Sequence, residues 1–544
     1  MRAFAKIWLP LLLTAAACDT TSAWAPGKRD VMGPVALDDK VAWVDPSGQT
    51  AFLLDPTAAD LRPTMLPLGK NAVLTQKRTG SNELLVLTQG QRDEVGLTAE
   101  TARLYAVPAD PTKATRAWDL PSRFDQMAQS NDGHYAVLFF SSGSTKGGAE
   151  TLSDPNQVAV VDLDPASATG ATIKHTSLRS LGGVPQGVAF SNPFLLHASD
   201  AEPRTLAVFL SGTYVTLLDL THPERGEISI DLKGSTSKSL FNVAQVIFDE
   251  TTLSATAHPT IYLRGTSAND VVVVSIGEPE AATQTTANDF HTSASLLAAG
   301  TGPADMVLYD STLGKRLLVV ASGSQELLVI DPATSRTTNI KMSTQANRII
   351  KFNEPATGKQ RALLLALAPL SSTTLTFVDL DRIDDVLGQA LDRHDMVTAA
   401  SNAMAYPAQG VVIIAHGNQS GSQLSLVNLG TRKVSPLNSQ GYDTLTFVPS
   451  SAGPSALDHL WVTSKWGRHV NYVTLATLAT GNVRLDHNTQ SVLPVTANGK
   501  RLLVVDHGGV GGSITILDAD KPARSTARSV QGFLFTDYLE RGAL

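Results

Sequence analysis

The chain has one cysteine, Cys18, in 544 residues. That scarcity excludes a disulfide framework, a cysteine-ligated zinc and a CxxCH haem attachment. Charge is sparse as well: 17% of residues are charged, the net charge is −7, and Lys and Arg form no run. A mildly acidic chain of this kind has no electrostatic reason to hold nucleic acid. The first apolar stretch, Ile7–Leu13, is broken by Pro10 and falls well short of the roughly 20 residues that cross a bilayer. What remains is a chain with 42% apolar residues, 41 Gly and 28 Pro, a composition of short strands and many turns.

The first residues have the three parts of an export signal. Arg2 and Lys6 are positive, Ile7–Leu13 is apolar, and Ala15, Ala16 and Ala17 lead directly to Cys18. Small residues before a cysteine resemble the lipobox of bacterial lipoproteins, with Ala15 standing where that motif commonly has Leu. The resemblance implies a lipid on Cys18 and a protein anchored to a membrane of the bacterial cell envelope, with inner and outer membrane both open. The expected division is a signal peptide over 1–17, a flexible tether over 18–30 rich in Thr, Ser and Pro, and a folded region over 31–544. A lipid-bearing sulfur also leaves no cysteine nucleophile.

Along 31–544 a pattern recurs: an apolar strand, a Gly, Ser or Asn turn, and a second apolar strand ending in an acidic or turn residue. "QVAVVDLD" ends at Asp164, "ELLVIDP" at Pro332, "TLTFVDL" at Leu380 and "SITILDA" at Ala519; ten such hairpins can be counted. The unit from Gly300 to Met342 reads as four strands, Asp305–Tyr309, Arg316–Ala321, Glu326–Ile330 and Thr337–Met342. It resembles the YVTN-type repeat of bacterial β-propellers, which implies an all-β propeller of four-stranded blades, with seven to ten blade-like repeats. A single ring is favoured, with Gln531–Leu539 as a closing strand against Val35–Val44. One stretch, Asp381–Asp395, places Ile383, Val386, Leu387, Ala390 and Leu391 at helical spacing and predicts an inserted helix near 381–393.

Linear catalytic signatures are missing. No HExxH, GxxxxGK[ST] or GxSxG occurs, and no cofactor or metal is expected. The acidic pairs Asp162/Asp164, Asp379/Asp381 and Asp518/Asp520 stop short of a calcium loop and are expected to accept backbone N–H bonds in turns. In a propeller the turns joining second and third strands share one face. Successive units there present His416 and Asn418, then Lys465, Trp466, Arg468 and His469, then Asp506 and His507. An aromatic residue among cations suits the anchoring of a protein, peptide or glycan, so the expected role is a noncatalytic binding or scaffold module. The alternative, implied by the propeller resemblance, is a lactonase-like hydrolase or a quinone-binding oxidoreductase with its site at the channel mouth.

Overall fold

The computed structural model describes residues 31–534 apart from 92–99, 142–153, 165–172, 179–184, 197–199, 201, 212–213, 233–240, 251–257, 278–289, 384–389, 418–422, 438–443, 448–458, 465–466 and 509–511. The chain forms ten four-stranded antiparallel sheets, each built from consecutive strands. These are the blades, spanning 32–67, 72–119, 126–177, 187–231, 243–298, 303–341, 348–395, 400–437, 444–484 and 491–531. Contacts between the first strands of neighbouring blades, such as Pro303–Ser311 and Arg348–Asn353, place those strands around the central channel. The fourth strands are therefore the outer rim.

The middle strands of a blade carry apolar residues at every position, and alternation divides them between two neighbours. In Gly314–Ala321, Leu317 and Val319 pack toward the fifth blade, while Leu318 and Val320 pack toward the seventh. In Glu83–Thr88, Leu84 and Val86 face the first blade, whereas Leu85 and Leu87 face the third. Ten buried clusters result, one in each space between blades. The tenth cluster joins the last blade to the first, so the ring closes.

Among the described residues, closure does not use the expected strand. Gln531 ends the outer strand of the tenth blade, Arg528–Gln531, and pairs with Ser513 of the same sheet. Met32–Ala36 pairs only within the first blade, and of the segment expected to close the ring, 535–539 lies outside the described residues. Side-chain packing joins the seam instead: Phe533 sits edge-on to Trp43 at 5.0 Å, and both are buried. Gly512 (φ +76) permits this approach, since a Cβ there would meet Phe533 at 2.7 Å. Arg528 reaches across to donate hydrogen bonds to the carbonyls of Pro56, Ala58 and Ala59.

Two further expectations meet different outcomes. The predicted helix is corrected: Leu391–Asp395 is the fourth strand of the seventh blade, paired with Thr374–Asp379, and 384–389 lies outside the described residues. Ile383 and Ala390 are buried in the core between the sixth and seventh blades, so their apolar character serves sheet packing. The acidic pairs behave as expected. Asp162, Asp379 and Asp518 accept the backbone N–H of Asp164, Asp381 and Asp520 at 2.8–3.2 Å in the turn to the fourth strand. Turns of this kind are clamped by an arginine in or just before the second strand: Arg361 to Asp379 at 2.6 Å and Arg204 to Asp219 at 3.3 Å.

If the packing of Phe533 on Trp43 is the main part of the seam, beside the Arg528 bonds and the Thr496 N–H to the Asp38 carbonyl, Phe533→Ala should cost about 3–5 kcal/mol, as for other large-to-small changes at buried aromatics. A denaturant titration measures it. A loss below about 1 kcal/mol, the scale of a poorly packed site, would place closure elsewhere.

Candidate functional site

Backbone hydrogen bonds bring two sets of loops to one end of the ring. The turns between second and third strands meet the connections between blades: Gln89 donates to the carbonyl of Asn71, Ser322 to Gly302, and Thr489 to Gly467. The other two sets meet at the opposite end, where Ala109 donates to Asn82 and Leu429 to Gly410.

Of the predicted residues, His416, Arg468, His469, Asp506 and His507 fall at the first end, in the eighth, ninth and tenth blades. Asn418, Lys465 and Trp466 lie outside the described residues. His416 closes the second strand of its blade, Val411–His416, and is buried. Its Nδ1 donates to the carbonyl of Ala399 at 3.3 Å, and its Nε2 lies 2.8 Å from the Ser425 hydroxyl. His507 repeats this arrangement two blades on. Its Nδ1 donates to the carbonyl of Asn488 at 3.0 Å, and its Nε2 faces the Thr515 hydroxyl at 2.8 Å. Each ring pins an inter-blade connection to the third strand of the following sheet. Both ring nitrogens are thereby used within the fold, and neither offers a lone pair to a metal or substrate.

Burial holds His507 below the ordinary imidazole range, with the neighbouring His487 acting in the same direction. The neutral ring then accepts from Thr515, and Thr515 in turn lies 2.9 Å from the Ser529 hydroxyl, extending the chain of bonds to the outer strand. His487 stacks edge-on to His507 at 5.6 Å and is hydrogen-bonded to the Gln531 side chain. Arg468 is exposed and donates from Nε to the side-chain oxygen of Asn488 at 3.3 Å. Asn488 therefore links the ninth blade's turn to His507 of the tenth. His469 is exposed and opens the third strand of its blade, opposite Arg484. The structure thus brings Arg468 together with His507 through Asn488, while His416 is engaged separately in the eighth blade. Sequence reasoning missed Asp486, His487 and Asn488, because it searched one set of turns and not the connections that share their face. The compact "DHN" at 486–488 was the available signal.

Asp506 is buried beside this group, and desolvation pushes its carboxyl up to about 6 against a hydrogen bond from the Gly508 backbone. Away from this group a concavity lies on the channel wall, about 340 Å3, lined by Gln245, Ile247, Phe248, the 306–310 segment, Lys315 and Lys351. Lys315 is held by Asp249 at 2.7 Å and Asp310 at 3.4 Å. Lys351 donates to the Leu308 carbonyl at 2.7 Å, and burial lowers its ammonium below the ordinary lysine range. Gln245 caps the inner edge of the sixth blade with a bond to the carbonyl of Met306 at 2.9 Å and one from its N–H at 3.2 Å.

The fold and this geometry define an all-β propeller of ten blades. No family model matches the chain, and no curated protein matches it by sequence. Among solved structures it is similar to a dihydro-heme d1 dehydrogenase, NirN, in complex with DHE, at 10% identity over 85% of this chain and 76% of that one, TM-score 0.35. It is also similar to the Dos1 propeller, at 9% identity over 73% and 93%, TM-score 0.39. A third is AztD from Citrobacter koseri, at 10% identity over 60% and 82%, TM-score 0.30. These are likenesses of fold.

The raised carboxyl of Asp506 has a pH signature. Its folded value lies above the unfolded one, so its contribution is full below about pH 4 and is lost as pH rises through about 6. Asp506→Asn should therefore leave stability near pH 4 unchanged and raise it at pH 8 by up to ~3 kcal/mol. Thermal melts at the two pH values test this; an equal effect at both would refute it.

Proposed function

We propose that this chain is a lipid-anchored protein of the bacterial cell envelope whose propeller acts as a noncatalytic binding scaffold for a protein, peptide or glycan. The anchor rests on Cys18 behind its run of alanines. The observation that carries the binding role is the division of labour in the last three blades. His416 and His507 spend both ring nitrogens on the fold, whereas Arg468 and His469 stand exposed on the same end. Such a face is suited to hold a partner on a rigid rim rather than to move protons. Trp466, two residues before Arg468, would supply the aromatic anchor.

Capture from envelope extracts tests this reading. The double change Trp466→Ala, Arg468→Ala should weaken recovery of the principal partner at least tenfold, about 1.4 kcal/mol. Retention of every partner by the variant would overturn the assignment. Radiolabelled palmitate should enter the parent chain and not Cys18→Ala.

A second reading, a small ligand held in the channel, is favoured by the cavity of the fifth to seventh blades. Its lining is mostly apolar, and Lys351 is bonded there to a carbonyl, leaving donors for an anion. That arrangement suits an apolar molecule carrying one carboxylate. Lys351→Met should then weaken binding of a medium-chain alkyl carboxylate about tenfold by calorimetry; no measurable binding to the parent chain would dismiss the reading.

A further inference from the structure

Among the described residues each of the ten outer strands is paired with a strand on one side only, and nine of the ten carry charge or proline. Thr64–Pro67 and Val434–Leu437 contain Pro67 and Pro436. Arg116–Asp119, Ile173–Ser177, Glu227–Asp231, Arg336–Lys341, Leu391–Asp395, Thr480–Arg484 and Arg528–Gln531 each carry at least one Lys, Arg, Asp or Glu. Charge and proline are the ordinary means by which a sheet edge refuses another strand. The tenth edge, His291–Ala298 of the fifth blade, has neither. Its sequence is HTSASLLA, and at eight residues it is the longest of the outer strands, the other nine having four to six. It is paired along its whole length on the inner side, from Gly277↔His291 to Asp270↔Ala298, so it is a straight, regular edge.

The two sides of this strand differ. Leu297 is buried toward the sixth blade, which by alternation puts His291, Ser293 and Ser295 on that side. Thr292, Ala294, Leu296 and Ala298 face the fourth blade, where Ile228 and Ile230 are half-buried against the core between the two blades. Leu296 is 40% exposed, one of few large apolar side chains left in water. An added strand must therefore be uncharged, with small or apolar residues on one parity and hydroxyl residues on the other.

The strand itself has that pattern. We infer that His291–Ala298 is a self-association edge, pairing antiparallel with the same strand of a second copy about a two-fold axis through Ser295. A two-fold normal to the sheet keeps each side of the strand on its own side, so paired residues must share parity. Centring on Ser295 sets Ala294 against Leu296, Ser293 against Leu297 and Thr292 against Ala298, and His291 is left outside. No charge opposes a like charge anywhere in the register. The apolar sides of both copies, with Ile228 and Ile230, run together across the axis. Eight residues extend about 27 Å, and an edge contact of that length lies near about 1,000 Å2, the low end for specific interfaces. The proposed association is weak and reversible, and its dissociation constant is set on the order of 10 μM for the test, at the weak end of specific association.

Sedimentation of the full chain carrying Cys18→Ser, from about 1 to about 200 μM so as to bracket that constant, should show a monomer–dimer equilibrium. Ser295→Lys sets two ammonium groups against each other at the axis and should weaken dimerisation at least tenfold, with the thermal midpoint unchanged. The scarcity of cysteine supplies a register test that does not depend on that variant. Ser295→Cys should cross-link to itself under mild oxidation, and Thr292→Cys, which faces Ala298, should not. A parent chain monomeric throughout, a dimer indifferent to Ser295→Lys, or equal cross-linking at 292 and 295 would each overturn the inference. So would a monomer that instead captures an unrelated extended peptide at this edge.

Discussion

A sheet with two apolar faces cannot be left with either one in water, and this constraint governs the whole ring. The second and third strands of each blade are apolar at successive positions, so each sheet needs a cover on both sides. Radial stacking supplies it: every blade is the cover of its two neighbours, and ten blades give ten enclosed cores. A chain without disulfides reaches a large closed fold in this way, because the stabilising contacts are distributed evenly and no single cross-link is required. The functional consequence is positional. The loops at one end are fixed by sheets that cannot tilt without opening a core.

Much of the polar chemistry is consumed in finishing the edges of those sheets. Asp162, Asp379 and Asp518 fold the turn into the outer strand, and Arg361 and Arg204 clamp such turns. Gln245 supplies the sixth blade's inner edge with the pair of bonds that a neighbouring strand would have made, and Asp305 accepts the N–H of Ile349 across the next gap at 2.8 Å. His416 and His507 tie inter-blade connections to third strands. Of the described candidates, His416, Asp506 and His507 are buried in the fold, whereas Arg468 and His469 are exposed.

The architecture was legible because burial on both faces leaves a long, repeated trace. The unit from Gly300 to Met342 shows its four strands within two residues of their observed limits, Pro303–Ser311 extending past the reading at both ends and Gly314–Ala321 at its start. The helix expected near 381–393 fails at its C-terminal end, where Leu391 opens a strand; the spacing of Ile383, Ala390 and Leu391 also suits buried positions around the start of an outer strand. The need to cover Thr374–Asp379 with a fourth strand decided the matter. Of the segment expected to close the ring, Gln531 belongs to the tenth blade's outer strand and Phe533 and Leu534 pack into the seam as side chains. The roles of His416 and His507 were not legible at all. Their partners include the carbonyls of Ala399 and Asn488, and a backbone group of a distant loop leaves no mark in residue type.

Each blade is made from one uninterrupted piece of chain, and the seam between the tenth and the first is of the same kind as the nine others. The order of blades along the gene is then separable from their order around the axis. Joining Leu534 to Val31 through a short linker and cutting at any other inter-blade connection leaves every hairpin and every core contact in place. During folding, neighbours can dock as soon as both exist, and only the last docking must bring distant parts of the polypeptide together, at a loop-closure cost that rises slowly with length. A permuted chain would merely choose a different pair of blades to meet last.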